Sequence, residues 1–414
     1  MLNCGLLGEK LTHSYSPLIH QELGDYKYDL FEIKPHQLKH FFDTTPFHGL
    51  NVTIPYKQIA FAYCDQLSLA AKAIGSVNTI VRQKDGSLYG DNTDASGFLQ
   101  LLKMSNIQVK NKKVLILGSG GSSLTSHHIL KQEGATEIII ISRTGENNYT
   151  NLDKHHDNQI IINTTPVGMY PHNGQSPIDL QTFKQLEGVV DLIYNPEKTA
   201  LLQQAKALAI PHIGGLPMLI TQAATASELF TGKSISTAKI NNIAAKIREK
   251  TQNIILIGMP GAGKTTLGLT LAKLTNRQLI DTDQEIEIQT GKSIPNIFKE
   301  EGEQIFRKYE AQIIKKIGSQ SGKIITTGGG CVTTAENFAP LHQNGIILFI
   351  DRHLDLLDRT NRPLSQDDLS QMYQHRFPLY HQFADATITN DQSVEKVAKK
   401  ILEAFYEIIN HQRT

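Results

Sequence analysis

Two glycine-rich turns carry the chemistry most legible in this 414-residue chain. GMPGAGKTTLG, residues 258–268, fits G-x-x-x-x-G-K-[ST], with Gly258, Gly263, Lys264 and Thr265 in the fixed places. Such a loop presents backbone N–H groups to phosphate, and glycines leave room for that approach. Gly258, Gly261, Ala262, Gly263, Lys264, Thr265 and Thr266 are therefore candidate ATP contacts, with Lys264 on the outer phosphates and Thr265 on Mg²⁺. At this composition a chance match is expected on the order of 0.02 times in the whole chain. Downstream, Asp281 and Asp283 stand two apart in LIDTDQ. One carboxylate would order Mg²⁺ while the other accepts a hydroxyl proton; two solvated carboxylates opening a helix is the plainer alternative. The second turn, Gly118-Ser119-Gly120-Gly121, follows the apolar run KKVLIL and has the look of a dinucleotide turn, with Ser123 where Gly or Ala is usual. The next apolar run ends in Ser142-Arg143-Thr144. An arginine there pairs with a 2′-phosphate and favours NADP over NAD; an exposed surface charge is the alternative.

The elements that must hold these turns read as strands buried in parallel sheets. KKVLILG (112–118), EIIIIS (137–142), QIIINTT (159–165), GVVDLIYN (188–195), NIILIG (253–258), KIITTGGG (323–330) and GIILFID (345–351) are too short for helices and do not alternate. Helical patterns such as 124–133 and 265–274 lie between them, so the class is doubly wound α/β. The region before residue 95 mixes short strands and helices. A polar stretch without Gly or Pro, TAKINNIAAKIREK (237–250), precedes the 253–258 strand and marks the junction of two large units.

Composition narrows the function classes. The chain is 40% hydrophobic and 20% charged, with 41 basic and 40 acidic residues and a net charge of +1. That balance gives no bulk attraction to nucleic acid or anionic membrane, so anions must be held by local groups. Cys4, Cys64 and Cys331 are scattered without metal spacing, which suits free thiols in a reducing, cytoplasmic compartment. The N-terminal residues carry no basic-then-apolar signal, and no apolar run reaches the roughly 18 residues that span a bilayer. The 16 histidines show no ligand spacing. The oligomeric state stays open.

GMPGAGKTTLG, DTDQEIE, EEGEQIFRKYE, TTGGG, RPL and RFPLY, in that order over 252–414, closely resemble shikimate kinase. The resemblance implies that Asp283, Arg307, Arg376 and the Gly328-Gly329-Gly330 turn hold shikimate. The arginines would clamp its carboxylate, which suits their bidentate fork, and Asp283 would act on the ring hydroxyls. It also places Arg362 on a lid over ATP, with Arg359 assisting, and Asp281 with Thr265 at the Mg²⁺. Asp351, which mimics a Walker B aspartate, receives no such role and reads as structural.

SYSPLIH (14–20), LNVTIPYK (50–57), GSVNTI (75–80), GDNTD (90–94), NTTPVGM (163–169) and TQAA (221–224) occur in the order seen in shikimate dehydrogenase and cover about 3–245. By that resemblance Ser14 and Ser16 bind the substrate carboxylate. Thr53, Asn78, Asp94 and Gln222 bind ring hydroxyls, and Lys57 with Asp94 forms the catalytic pair. Such types make sense for ketone reduction, because a lysine at the carbonyl oxygen stabilises the developing alkoxide and donates its proton. Spacing alone does not pair Lys57 with Asp94. Gly215 and Met218 are the expected nicotinamide contacts. Tyr194 is open between a neighbour of the substrate and a core tyrosine. Ser142 stands where Asn is usual, Pro217 where Gly is usual, and the 143–163 stretch is short enough to have lost a helix.

These resemblances imply a two-lobed dehydrogenase with a Rossmann-like NADP lobe, fused to a P-loop α/β/α domain of the nucleoside-monophosphate-kinase type with a parallel sheet. The expected substrate lobe is 1–95 plus 218–245, the NADP lobe 96–217, the linker 246–252 and the kinase domain 253–414. The implied activities are NADPH-dependent reduction of 3-dehydroshikimate to shikimate and Mg²⁺- and ATP-dependent phosphorylation of shikimate. Two other readings compete: one half kept only as a silent ligand-binding module, against which the reactive residues of both halves are present, and a quinate-type dehydrogenase using NAD, against which stands Arg143.

Overall fold

A computed structural model describes residues 1–11, 14–357 and 369–411. By internal packing the chain divides into two units, residues 1–169 with 175–247, and 170–174 with 248–414.

The first unit holds two sheets. One contains β1 (Asn3–Gly8), β2 (Lys27–Glu32), β3 (Gly49–Val52), β4 (Gln66–Leu67), β5 (Thr79–Arg82) and β6 (Leu88–Asp91), in the order β2-β1-β3-β5-β6-β4. β1 runs parallel to β2 and β3, whereas β5 is antiparallel to both β3 and β6. The register sets Thr79 opposite both Asn51 and Asp91. Asn78, just before β5, therefore lies beside Asn92–Asp94, just past β6.

The other sheet is fully parallel: β7 (Lys113–Leu117), β8 (Glu137–Ile141), β9 (Ile160–Asn163), β10 (Gly188–Asp191) and β11 (His212–Gly214), ordered β11-β10-β9-β7-β8. Numbered from β7, that is the doubly wound order 2-1-3-4-5, which reverses between β7 and β9. The Gly118–Gly121 turn leaves β7 at that switch point. β7, β9 and β10 are as buried as their apolar runs predict. β8 is only partly buried, because EIIII forms an edge with a neighbour on one side alone. Between Arg143 and β9 the one helical turn among the described residues is the 3-10 turn Leu152–His155, so the expected loss of a helix is seen.

Helix Asp94–Ser105 crosses the position given to the lobe boundary at 95/96. Its first residue belongs to the end of the mixed sheet, while Phe98, Leu101 and Leu102 pack with Val114, Ile116 and Ile162 of the parallel sheet. Helix Thr237–Thr251 runs through most of the segment expected as a linker, and its Ile243 and Ile247 are buried against Ile19, Leu216 and Ile220.

The second unit carries one parallel sheet: β12 (Asn253–Ile257), β13 (Leu279–Asp281), β14 (Ile324–Thr326), β15 (Gly345–Asp351) and β16 (Ala386–Thr389), ordered β13-β14-β12-β15-β16. The phosphate loop leaves the central strand β12 and opens helix Lys264–Thr275. Among the described residues no helix is long and apolar enough to cross a membrane.

Candidate active sites

In the first unit the sheet ends gather the expected residues. Lys57 Nζ donates to Asp94 Oδ2 at 2.6 Å, with Asp94 almost fully buried and the Lys57 side chain 15% exposed. Spacing gave no reason for this pair. Tertiary structure supplies it, since the amide of Val77 binds the carbonyl of Lys57 and ties that loop to the strand edge beside Asp94. Asn78 is held by its own neighbours: its Oδ1 accepts from the Thr93 amide at 2.7 Å, and its Nδ2 donates to Gln222 Oε1 at 3.2 Å. Gln222 lies on helix Leu216–Thr231, which packs on helix Asp94–Ser105 at Gly97. Ser14 Oγ accepts from the Ser16 amide at 3.2 Å at the head of helix Ser16–Leu23, and both serines are half-buried. Thr53 ends the β3 segment, its amide bound to the Leu7 carbonyl. The Tyr194 ring stands 5.1 Å from Tyr15, between Ser14 and Ser16, and both rings pack on the cluster of Leu216 and Ile220.

Further residues of this site were not singled out from the sequence. Tyr28 Oη donates to Asn51 Oδ1, Asn51 Nδ2 donates to Thr79 Oγ1, and Thr79 Oγ1 donates to Asn78 Oδ1, at 2.8, 3.2 and 3.2 Å. This partly buried chain fixes the amide of Asn78. At the paired ends of β9 and β10, Asn163 and Thr199 donate to Asp191, which also accepts from the Ile193 amide. Burial pushes the Asp191 carboxyl up to about 6 despite these bonds. A carboxylate inside the apolar run GVVDLI was the signal available for it.

The dinucleotide turn lies beside the lysine. A Cβ on Gly121 would sit 3.5 Å from Lys57 Cδ. Ser119 and Gly120 are exposed, and no side chain caps helix Gly121–Gln132; the Ser123 amide turns back to the Gly120 carbonyl at 2.9 Å, and the amides of Gly121 and Ser122 before it can meet an anion. This donor set suits a pyrophosphate. Ser142 Oγ accepts from the Gly145 amide, while Arg143 and Thr144 are exposed beyond β8, as a ribose-phosphate contact requires. Gly215 caps helix Leu216–Thr231. Met218 is 6% exposed and packs with Phe98, Leu101 and Val190, so its side chain belongs to the core.

In the second unit Gly258, Gly261 and Gly263 have φ of 147°, 81° and 88°, a left-handed path that favours glycine. Ala262 is buried under the loop and Thr266 is exposed. Lys264 Nζ donates to the carbonyls of Gly258 and Met259 at 2.8 and 2.9 Å. Thr265 Oγ1 donates to Asp281 Oδ2 at 3.0 Å, and Thr326 Oγ1 donates to the same oxygen at 2.8 Å. Asp281 Oδ1 caps the helix that carries Asp283, accepting from the Asp283 and Gln284 amides. One hydroxyl and one carboxylate fit a Mg²⁺ that takes its other ligands from phosphates and water. Among the described residues no group of three His, Cys, Asp or Glu could hold a metal by itself.

Asp283, Arg307, Arg376 and the Gly328–Gly330 turn come together. A Cβ on Gly328 would lie 2.7 Å from Asp283 Oδ1, and one on Gly330 would strike the Arg307 guanidinium. Arg376 Nη1 donates to the Gly329 carbonyl at 3.3 Å, beside Tyr380 Oη at 2.5 Å from the same oxygen. Glu310 completes the group. It is fully buried and accepts from Arg307 Nη1 at 2.8 Å. Burial raises its carboxyl to about 7, even with Arg307 beside it. Glu310 and Tyr380 lie inside the quoted motifs, and the Arg307/Glu310 spacing of i, i+3 is the signal that marks the first. Asp351 Oδ1 accepts from Tyr373 Oη at 3.2 Å, a structural contact. Arg359 and Arg362 lie outside the described residues.

Comparison with known proteins agrees with this division. Residues 260–406 match the shikimate kinase family, and residues 6–80 match the shikimate dehydrogenase substrate binding domain. A shikimate dehydrogenase (NADP(+)) of Clostridium perfringens is 33% identical over 265 residues, covering 59% of this chain and 97% of that protein. The crystal structure of shikimate dehydrogenase 1 from Peptoclostridium difficile superposes with a TM-score of 0.57 at 33% identity, over 60% of this chain and 98% of that one. A chorismate mutase/shikimate 5-dehydrogenase fusion from Clostridium acetobutylicum gives 0.56 at 36% identity, over 59% and 95%. The chain belongs to the shikimate dehydrogenase family, and its C-terminal part is a shikimate kinase domain.

Proposed function

We propose that this chain carries out two consecutive reactions on one ring: NADPH-dependent reduction of 3-dehydroshikimate to shikimate, then ATP-dependent phosphorylation of the shikimate 3-hydroxyl. The observation that carries the reading is the Lys57–Asp94 pair beside Gly121, in a chain that also groups Asp283, Arg307 and Arg376 around Gly328–Gly330.

In the first unit Ser14 and Ser16 bind the carboxylate, and Thr53, Asn78 and Gln222 bind the ring hydroxyls. Bound NADPH supplies the hydride to the ketone carbon. Lys57 gives a proton to the carbonyl oxygen as charge develops there, and Asp94 keeps its ammonium aimed. Gly118–Gly121 would hold the pyrophosphate, Ser142, Arg143 and Thr144 the 2′-phosphate, and Gly215 the nicotinamide side. In the second unit Arg307 and Arg376 hold the shikimate carboxylate, and Asp283 accepts the proton of the attacking hydroxyl. Thr265 and Asp281 would hold Mg²⁺, which offsets phosphate charge. Lys264 turns from the loop carbonyls to the outer phosphates when ATP enters.

The test is direct. Pure protein given 3-dehydroshikimate, NADPH, Mg²⁺ and ATP should yield shikimate 3-phosphate by mass, and omission of ATP should stop the product at shikimate. No consumption of NADPH with the full mixture overturns the first half; accumulation of shikimate with ATP present overturns the second. A rate with NADH matching that with NADPH would overturn the role given to Arg143.

A further inference from the structure

Arg352, the first residue after β15, belongs to none of the motifs above, yet it sits at the phosphate loop. A Cβ on Gly263 would lie 3.7 Å from Arg352 Nη1 and 2.9 Å from Asn390 Nδ2. Asn390, just after β16, anchors that flank by donating to the Ala262 carbonyl at 2.7 Å. Among the described residues Arg352 makes no ion pair, and its Nε is buried without a hydrogen-bond partner. The adjacent acid does not neutralise it: Asp351 is the acceptor of Tyr373, and Asp355 lies 3.3 Å from His353. A partly buried guanidinium with no counter-charge is costly unless an anion completes it.

Sheet order says which anion. The acceptor-binding groups Asp283 and Gly328–Gly330 follow β13 and β14, on one side of β12. The transferred phosphoryl must face that side, so the nucleoside end of the nucleotide extends over the ends of β15 and β16, where Arg352 stands. We propose that Arg352 binds the phosphate chain of the nucleotide at its nucleoside end, a second cation across the loop from Lys264. The proposal rests on the kinase reading above. The planar fork suits two phosphate oxygens at once, which a lysine cannot match.

Displacement of a fluorescent ADP analogue from the full chain by ADP and by adenosine tests this. Arg352→Gln should weaken ADP by about tenfold and leave adenosine unchanged, with Arg352→Lys in between. The kinase KM for shikimate should stay within about twofold of wild type, a split that a loosened fold would not produce. The proposal is overturned if ADP affinity in Arg352→Gln stays within about twofold of wild type, or if adenosine weakens as much as ADP, which would place the guanidinium on the base. Wild-type protein that takes up no ADP would overturn the kinase reading itself.

Discussion

Each unit sets a cation against a buried carboxylate, Lys57 against Asp94 in the first and Arg307 against Glu310 in the second. Lys57 stands in a loop whose sequence offers no partner, and Asp94 is the partner because the Val77 amide holds the Lys57 carbonyl while the neighbouring Asn78 holds the Thr93 amide. Lys57→Ala should lower the dehydrogenase kcat by about 10²–10⁴-fold and leave the ATP-dependent rate unchanged; Lys264→Ala should do the reverse, with NADPH oxidation and ADP release measured on the same preparations. Glu310 sets a pH dependence. Its carboxyl, raised to about 7 by burial, faces Arg307 on its own helix, Asp283 on helix Thr282–Thr290 and Arg376 on helix Leu369–Phe383. Below that pH it is neutral, and Arg307 is available to a substrate carboxylate. Above it, the ionised carboxylate competes for Arg307 and repels the substrate. The kinase KM for shikimate should therefore rise as the pH passes about 7, and Glu310→Gln should flatten that rise. The sign for stability is the same: a raised carboxyl stabilises the fold at low pH, and the contribution is lost as pH rises through about 7. A steeper pH dependence of KM in the Gln variant would contradict this.

At the scale of elements, the dehydrogenase pocket depends on two helices approaching closely. Gly97 allows it, since a Cβ there would lie 2.8 Å from the Met218 carbonyl and 3.3 Å from Gln222 Cβ. Backbone on the far side cannot swing away as a side chain can. Gly97→Ala should cost about 1–3 kcal/mol in urea unfolding and raise the dehydrogenase KM for substrate by shifting Gln222, with the kinase constants unaffected. An unchanged KM alongside lowered stability would show that Gln222 does not depend on this contact. The helices also explain why the expected lobe boundary at 95/96 falls inside an element. Asp94–Ser105 serves the mixed sheet with its first residue and the parallel sheet with its apolar face, so no break in pattern separates them.

For the whole molecule, the proposed pair of reactions explains why two phosphate cradles of different design occur in one chain: under it, the product of one unit is the substrate of the other. Free diffusion between them is the simplest physical case. During turnover of 3-dehydroshikimate with NADPH and ATP, excess labelled shikimate should fully dilute the phosphorylated product. Retention of unlabelled product beyond the dilution ratio would mean transfer without release.

The chain by itself determined the class of both units and pointed to most of the side chains that the structure groups at the two candidate sites. Glycine turns between buried apolar runs are local features, and local spacing is what sequence displays. Parallel strands such as β7, β9, β12 and β15 were legible because burial on both faces leaves uninterrupted apolar runs. The tertiary structure alone decided the pairings. Lys57 meets Asp94, Asn78 meets Gln222 across 144 positions, and Arg352 meets the loop after β12, each through strand order and helix packing. It also decided the fates of Met218 and Glu310: one packed into a core, the other desolvated beside two arginines. Burial and the dielectric around a group are properties of everything folded against it, and no window of sequence contains them.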